Sequence, residues 1–230
     1  MPSSVVHGAL AALVAVGLLG RFYDRRALSI VLLIVVVPEV DTAFGWFMDG
    51  AHRTVLHNMV FPVVIGGLLY WETAREGSWI RTRWGARGVR MVWVGLFVHT
   101  LVHISLDWAH LSGINLLWPL EDRFFTLDGE LALSTTEGFV QTFVEISRDP
   151  ETGGGVVDAG QGGTRADTHV PNPAEPSDEP EPGPVDRRFP IAVNGWQLYL
   201  LFTGAFALVA KRLQTARPPE ADGGGRKERQ

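Results

Sequence analysis

The chain has 230 residues, 46% of them hydrophobic and 20% charged, with a net charge of −5 and a positive mean hydropathy. It has no cysteine, which excludes disulfides and thiolate zinc sites and leaves His, Asp and Glu as metal ligands. Apolar residues fall in long blocks, apart from a polar, acidic, Gly/Pro-rich stretch. That segregation excludes a finely mixed soluble core and predicts an integral membrane protein with one large hydrophilic loop.

The N-terminus, MPSSVV, carries no basic n-region, so no cleaved signal peptide is expected. Five apolar spans follow, each near the ~20 residues that cross a bilayer core. The first covers about 4–20 and is followed by Arg21, Arg25 and Arg26. The second covers about 27–47, and Pro38 disfavours a helical Val37, so a kink or break is expected there. The third covers about 52–71, the fourth about 88–107, and the fifth about 190–210, ending at Lys211 and Arg212. This divides the chain into a membrane-embedded core (1–120), an acidic Gly/Pro-rich outer loop (121–189), a fifth helix (190–210) and a disordered cytoplasmic tail (211–230). The start of the loop, EDRFFTLDGELALSTTEGFVQTFVEI, alternates enough for strands or a short helix. From Asp149 onward the composition predicts disorder. The expected fold is therefore an all-α membrane protein: a bundle of about five transmembrane helices with a large, mostly disordered acidic outer loop.

Charge orients the bundle. The segments 21–26, 72–90 and 211–230 hold 14 Lys/Arg against 6 acids, whereas 38–53 and 107–188 hold 6 against 19. By the positive-inside rule this predicts a multi-pass cell-membrane protein with its N-terminus outside and C-terminus in the cytoplasm.

Ionisable residues recur at one depth. At ~1.5 Å rise per residue, His7, Asp41, His57 and His103 each lie ~20–22 Å from the inner end of their span. His52 and Asp107 form a second tier at ~28 Å, with Glu39 and His99 slightly deeper in the membrane. Charges in hydrocarbon are costly, so such groups face the bundle interior. In HTLVHISLDWAH, His99, His103 and Asp107 are spaced four apart and share a helix face. In HRTVLHN, His52 and His57 are five apart, which does not stack on a regular helix and puts one of them at a cap or in the preceding loop. Taken together, His7, Asp41, His52, His57, His103 and Asp107 are candidate ligands for a divalent ion such as zinc. Glu39 is the candidate general base and Arg53 the candidate holder of an anionic substrate group. A lone histidine in a span is more often a satisfied polar residue than a ligand, which is the reading given to His99. His169 is read as solvated. Arg53 serves equally well as an interfacial anchor.

At these residues the sequence resembles the LexA-regulated inner-membrane family of metal-dependent hydrolases. That family shows an early His, a P-D-x-D element, an H-R-G-x-T-H-S element, and a late H-x-x-x-D followed by Gly and Pro. Here the corresponding positions are His7; PEVD, Pro38 to Asp41; HRTVLHN; and His103, Asp107, Gly113 and Pro119. Glu39 stands for an Asp, Leu56 and Asn58 for a Thr and a Ser, and His110 where a Thr is common. The likeness covers roughly residues 1–120 and implies a metal-dependent hydrolase.

The leading expectation is thus a hydrolase with a His/Asp metal site near the outer face, acting on an ester or phosphoester, a lipid or another small molecule. A transporter or proton relay is the alternative, with bis-His haem binding and a non-catalytic scaffold behind it. Membrane lipids are the expected partners. No basic patch for nucleic acid is visible, and oligomeric state is not encoded legibly.

Overall fold

A computed structural model describes residues 3–110, 112–148, 154–168 and 191–215 of the chain. Helix α1 runs Ser4–Leu18, and the Ser3 hydroxyl caps it by accepting the Val6 N–H. Gly20, at φ +52°, turns the chain, and Asp24 caps α2, Arg25–Val36, by accepting the Ala27 N–H at 2.8 Å. That bond, and next the Arg87 guanidinium, hold the Asp24 carboxyl below its ordinary pKa. The α-helix gives way at Val37, and Val37–Trp46 continue as 3-10 helix. The change of helix type falls where Pro38 removes a backbone donor, although Val37 itself keeps helical φ/ψ.

Helix α3 is Val60–Ala74 and α4 is Trp79–Phe97, kinked at Gly85. A π-helical turn, Val98–Ile104, and a short α5, Ser105–Trp108, extend α4. Two antiparallel hairpins follow. In the first, β1 (Leu131–Ser134) pairs with β2 (Gly138–Gln141). In the second, β3 (Glu145–Arg148) pairs with β4 (Gly155–Asp158). Helix α6 is Gly195–Thr215.

Two continuous helical stretches, Arg25–Trp46 and Trp79–Trp108, are long and apolar enough to cross a membrane. Only a third of each most apolar window is buried, unlike the core helix of a soluble protein. Outward-facing Leu33, Val63, Leu68 and Phe206 are mostly exposed, as lipid-facing residues would be. Helices α1 and α3 are apolar but shorter, at 15 residues each. Among the described residues α6 is long enough, at 21 residues, but does not reach the hydropathy of the two spans.

Beneath the polar residues lies a dry core. Ala11, Ala15 and Leu19 of the α1 side pack with Ala27, Val31 and Val35 of α2 and with Val94, Val98 and Val102. The small residues on α1 let the backbones approach closely. Its other side receives α6, where Gly204 lies against the Ala9 backbone.

Three expectations change. The third helix starts at Val60, not near 52, so residues 51–59 form a buried loop that carries both His52 and His57. The all-α expectation gives way to a mostly helical chain with two small hairpins. The expected disorder beyond Asp149 does not extend to 154–168. There β4 pairs with β3, Gly160 and Gly163 carbonyls accept from Thr126 and Phe124 N–H, and Arg165 pairs with Asp122. The acidic stretch 169–190, which includes His169, and the tail 216–230 lie outside the described residues.

The contact of α6 with α1 gives a stability test. A Cβ on Gly204 would sit 2.7 Å from the Ala9 carbonyl oxygen, whereas one on Gly67 would meet nothing within 4 Å. Gly204→Ala is expected to destabilise by about 1–3 kcal/mol, while Gly67→Ala is neutral or slightly stabilising. Thermal unfolding of detergent-purified variants checks this, and equal melting temperatures would refute the packing.

Candidate metal centre

The polar residues converge where α1, the 51–59 loop and the π-helical turn meet. His7, Asp41, His52, Arg53, His57, His103 and Asp107 are each at most 2% exposed. The His57 Nε2 lies 2.9 Å from His103 Nε2 and 3.3 Å from Asp107 Oδ2. His103 Nε2 is 3.5 Å from the same oxygen, and His7 Nε2 is 3.6 Å from Asp107 Oδ1. The His7 and His103 rings stack at 4.2 Å.

Tautomers follow from the outer nitrogens. His57 Nδ1 is 2.7 Å from Asp41 Oδ2, and His7 Nδ1 is 3.0 Å from the Ser3 carbonyl. Both partners only accept, so both Nδ1 atoms carry protons and donate. In the neutral rings each Nε2 is then a bare lone pair, and both are turned toward the Asp107 carboxylate. His7 Nε2 has no hydrogen-bond partner at all. A cation among these nitrogens would take up the lone pairs and balance the carboxylate, whereas without one His57 Nε2 can accept only from His103 Nε2 at 2.9 Å. The spacing suits one: ligand atoms ~2.1 Å from a divalent ion stand ~2.9 Å apart at right angles and ~3.4 Å apart at the tetrahedral angle. The residues present therefore fit a divalent ion: His7, His103 and Asp107 lie close enough to share one, with His57 Nε2 beside His103 and Asp107.

Asp41 bridges two imidazoles. One oxygen accepts from His57 Nδ1, and the other accepts from His52 Nδ1 at 3.0 Å. A carboxylate that fixes a ligand's ring in this way raises its basicity. His52 Nε2 is buried without a partner, and Asp41, His52 and His57 also form a second three-residue group close enough to share an ion. Arg53 does not reach outward. Its Nη2 donates to Asp107 Oδ1 at 3.0 Å and its Nη1 to the Gly113 carbonyl at 3.1 Å. It occupies the left-handed region at φ 61°, held there as its carbonyl accepts the Asn115 N–H. The expected anion holder thus orients Asp107, while its Nε stays buried without a partner among the described residues. Glu39 is half-buried and accepts from the Ser4 hydroxyl at 3.2 Å, outside the four-donor set.

The π-helical turn breaks the expected row on the fourth span. His103 and Asp107 enter the cluster, while His99 has no hydrogen bond or ion pair among the described residues. Ser3 was missed by the sequence reading. It carries no metal-ligand chemistry, and only its place four residues before His7 hinted at a helix cap within reach of that ring.

The sequence model of the YdjM inner membrane protein family matches residues 1–157. The chain belongs to this family. It is also 29% identical over 133 residues to inner membrane protein YbcI of Escherichia coli (strain K12), covering 54% of this chain and 72% of that protein. No solved structure matches it. Both likenesses support membrane localisation, and the matched region of this YdjM-family chain holds the whole polar cluster.

The Arg53–Asp107 pair is open to a double-mutant test. Arg53→Met leaves a buried carboxylate without its guanidinium and is expected to cost about 3–5 kcal/mol. Adding Asp107→Asn should restore part of that loss, measured by thermal unfolding. If Arg53→Met melted like the parent, the pair would carry no such weight.

Proposed function

We propose that this chain is a membrane-bound, divalent-metal-dependent hydrolase whose ion is held by His7, His57, His103 and Asp107. The observation behind it is the pair of fixed tautomers, which turn the His7 and His57 lone pairs onto one buried carboxylate. Burial supports the reading: Asp41 and Asp107 are both nearly solvent-free, and among the described residues a guanidinium meets Asp107 alone, while imidazoles face both carboxylates. Zinc is the ion best suited to three imidazoles and one carboxylate. A bound divalent ion would acidify water and polarise an ester or phosphoryl oxygen.

The chain's own groups divide the remaining tasks. Asp41 and the Ser3 carbonyl hold two rings in the liganding tautomer. Arg53 fixes Asp107. Glu39, a carboxylate outside the ligand set, accepts a proton from water as general base. The substrate is an ester or phosphoester, small or lipid, reached from the membrane. The proposed topology keeps the N-terminus outside.

A trans-membrane relay is less well supported. The core beneath the site is built of Ala, Leu and Val, and among the described residues that cluster contains no titratable group to carry a proton onward.

Metal content by plasma mass spectrometry tests the ion. About one divalent ion per chain is expected, lost in His57→Ala, His103→Ala and Asp107→Ala variants that remain folded. Asp41→Asn should keep the stoichiometry but weaken affinity roughly 10–100-fold. Full loss there would make Asp41 a direct ligand, and a metal-free parent protein would sink the proposal.

Turnover tests the chemistry. With bis(p-nitrophenyl) phosphate and p-nitrophenyl acyl esters as probes, Glu39→Gln should lower kcat by about 10²–10⁴ with metal content unchanged. Unaltered kcat would remove Glu39 from the mechanism.

A further inference from the structure

A groove with a cavity volume of about 370 Å³ runs along the membrane-facing side of α4, away from the His/Asp cluster. Its walls are Leu18 at the end of α1 and Trp93, Val94, Phe97 and Leu101 of α4 and its π-helical extension. Arg90 closes one end. Leu18 and Phe97 are each 40% exposed and Leu101 is 51% exposed, so the apolar walls are open to whatever surrounds the helix.

Three features identify the occupant. From Arg90 to Leu101 the helix rises ~16 Å, about half the ~30 Å hydrocarbon thickness and so the depth of one leaflet. The groove thus has the length of a single acyl chain lying along the bilayer normal. Second, the charge is at one end only, as in an amphiphile with its head at the interface. The Arg90 side chain is exposed and has no hydrogen bond or ion pair among the described residues, while nearby Arg87 is spent on Asp24 and Arg83 lies over the Trp84 ring. Third, the basic end is broader than Arg90: Arg21, Arg25 and Arg26 follow α1 on the same side of the membrane. A cation left free at the hydrocarbon edge attracts a lipid phosphate, and a cluster of them favours a lipid with net negative charge. Trp93 adds a flat wall with its polar edge already committed, since its Nε1 donates to Thr73 at 3.3 Å.

We infer that this groove is a binding site for one anionic phospholipid of the leaflet at the basic end, its phosphate on Arg90 and one acyl chain against Trp93, Phe97 and Leu101. Arg90, at the phosphate end, lies ~20 Å along the helix from His103, and none of His7, His57, His103 and Asp107 lines the groove. The lipid proposal therefore stands or falls independently of the hydrolase reading.

The test is native mass spectrometry of the full chain, delipidated in detergent and re-equilibrated with phosphatidylglycerol or phosphatidylcholine. One tightly retained phosphatidylglycerol is expected, and phosphatidylcholine should be retained more weakly. Arg90→Gln should lower phosphatidylglycerol retention about fivefold, the effect of one basic contact with an anionic surface. Leu101→Trp, which fills the groove without touching charge, should lower retention of both lipids. Arg83→Gln, an equal charge loss off the groove, should change neither. Equal retention of the two lipids by the parent, or an equal loss in Arg83→Gln and Arg90→Gln, would overturn the site. So would full retention in both Arg90→Gln and Leu101→Trp.

Discussion

The structure turns on one buried carboxylate. Asp107 is 1% exposed and has a single permanent cation against it, the Arg53 guanidinium on Oδ1. Its other oxygen faces His57 and His103. Burying an anion is tolerable only with compensating charge and hydrogen bonds. Arg53 meets half of that demand, and it does so from a left-handed backbone that a non-glycine residue adopts at a cost of about 1–3 kcal/mol. The loop 51–59 is fixed by that arrangement. The Arg53 carbonyl accepts from Asn115, Asn58 ties back to the Thr54 and Val55 carbonyls, and Met59 donates to Leu116 before α3 begins. The second half of the demand falls on the imidazoles, whose protons Asp41 and Ser3 have already drawn to the far side of the rings. A divalent cation, as proposed above, would answer it with charge and at a spacing that the donors present.

The surroundings raise the stakes of that arrangement. Below the cluster the helices meet mainly through Ala, Val and Leu, with Tyr23 and Met91 packed against them, and the surface outside it exposes many large apolar side chains. No solvent is at hand to screen an unmet charge, so each polar contact in the cluster counts for more than it would at an aqueous surface. The same dryness isolates the site from the basic end of the molecule. A polar centre set in one half of an apolar bundle can bind and react without opening a path across it.

Much of this was legible in the sequence because the chemistry demanded rare residues in rare places. His7, Asp41, His57, His103 and Asp107 stand out against apolar segments, and helix rise alone put the first four at a similar depth, with Asp107 one tier beyond. What the sequence did not yield was the division of labour. A regular helix over 52–71 was the natural reading of a long apolar run, and only the five-residue spacing of the two histidines spoke against it. The loop there is held by tertiary bonds to Asn115 and Leu116, which no local pattern announces. The π-helical turn was hidden for the same reason: HTLVHISLD is equally good as α-helix, and only packing selects which of its histidines turns inward. Arg53 read as a reach toward substrate because its partner, Asp107, lies 54 residues away. The ordered part of the outer loop was masked by its glycines. At Gly160, with φ +73° and the Thr126 carbonyl beside it, glycine serves close packing rather than disorder.

Helix α6 lies beyond the region that the family shares, yet it is coupled to the centre. The family match ends at residue 157, while α6 begins at Gly195. Just before it, the Ile191 carbonyl accepts the Ser3 hydroxyl at 2.5 Å, and farther on Gly204 seats α6 against Ala9. Ser3 thereby joins the start of α1, the segment before α6 and the His7 ring. Its hydroxyl caps α1 and anchors to Ile191, and its carbonyl fixes the proton of His7. The path from α6 to the His7 lone pair is two hydrogen bonds long. A change confined to this helix can therefore alter the ring that faces Asp107 without touching any liganding residue, so the ordered shared core and the segment outside it act on one site.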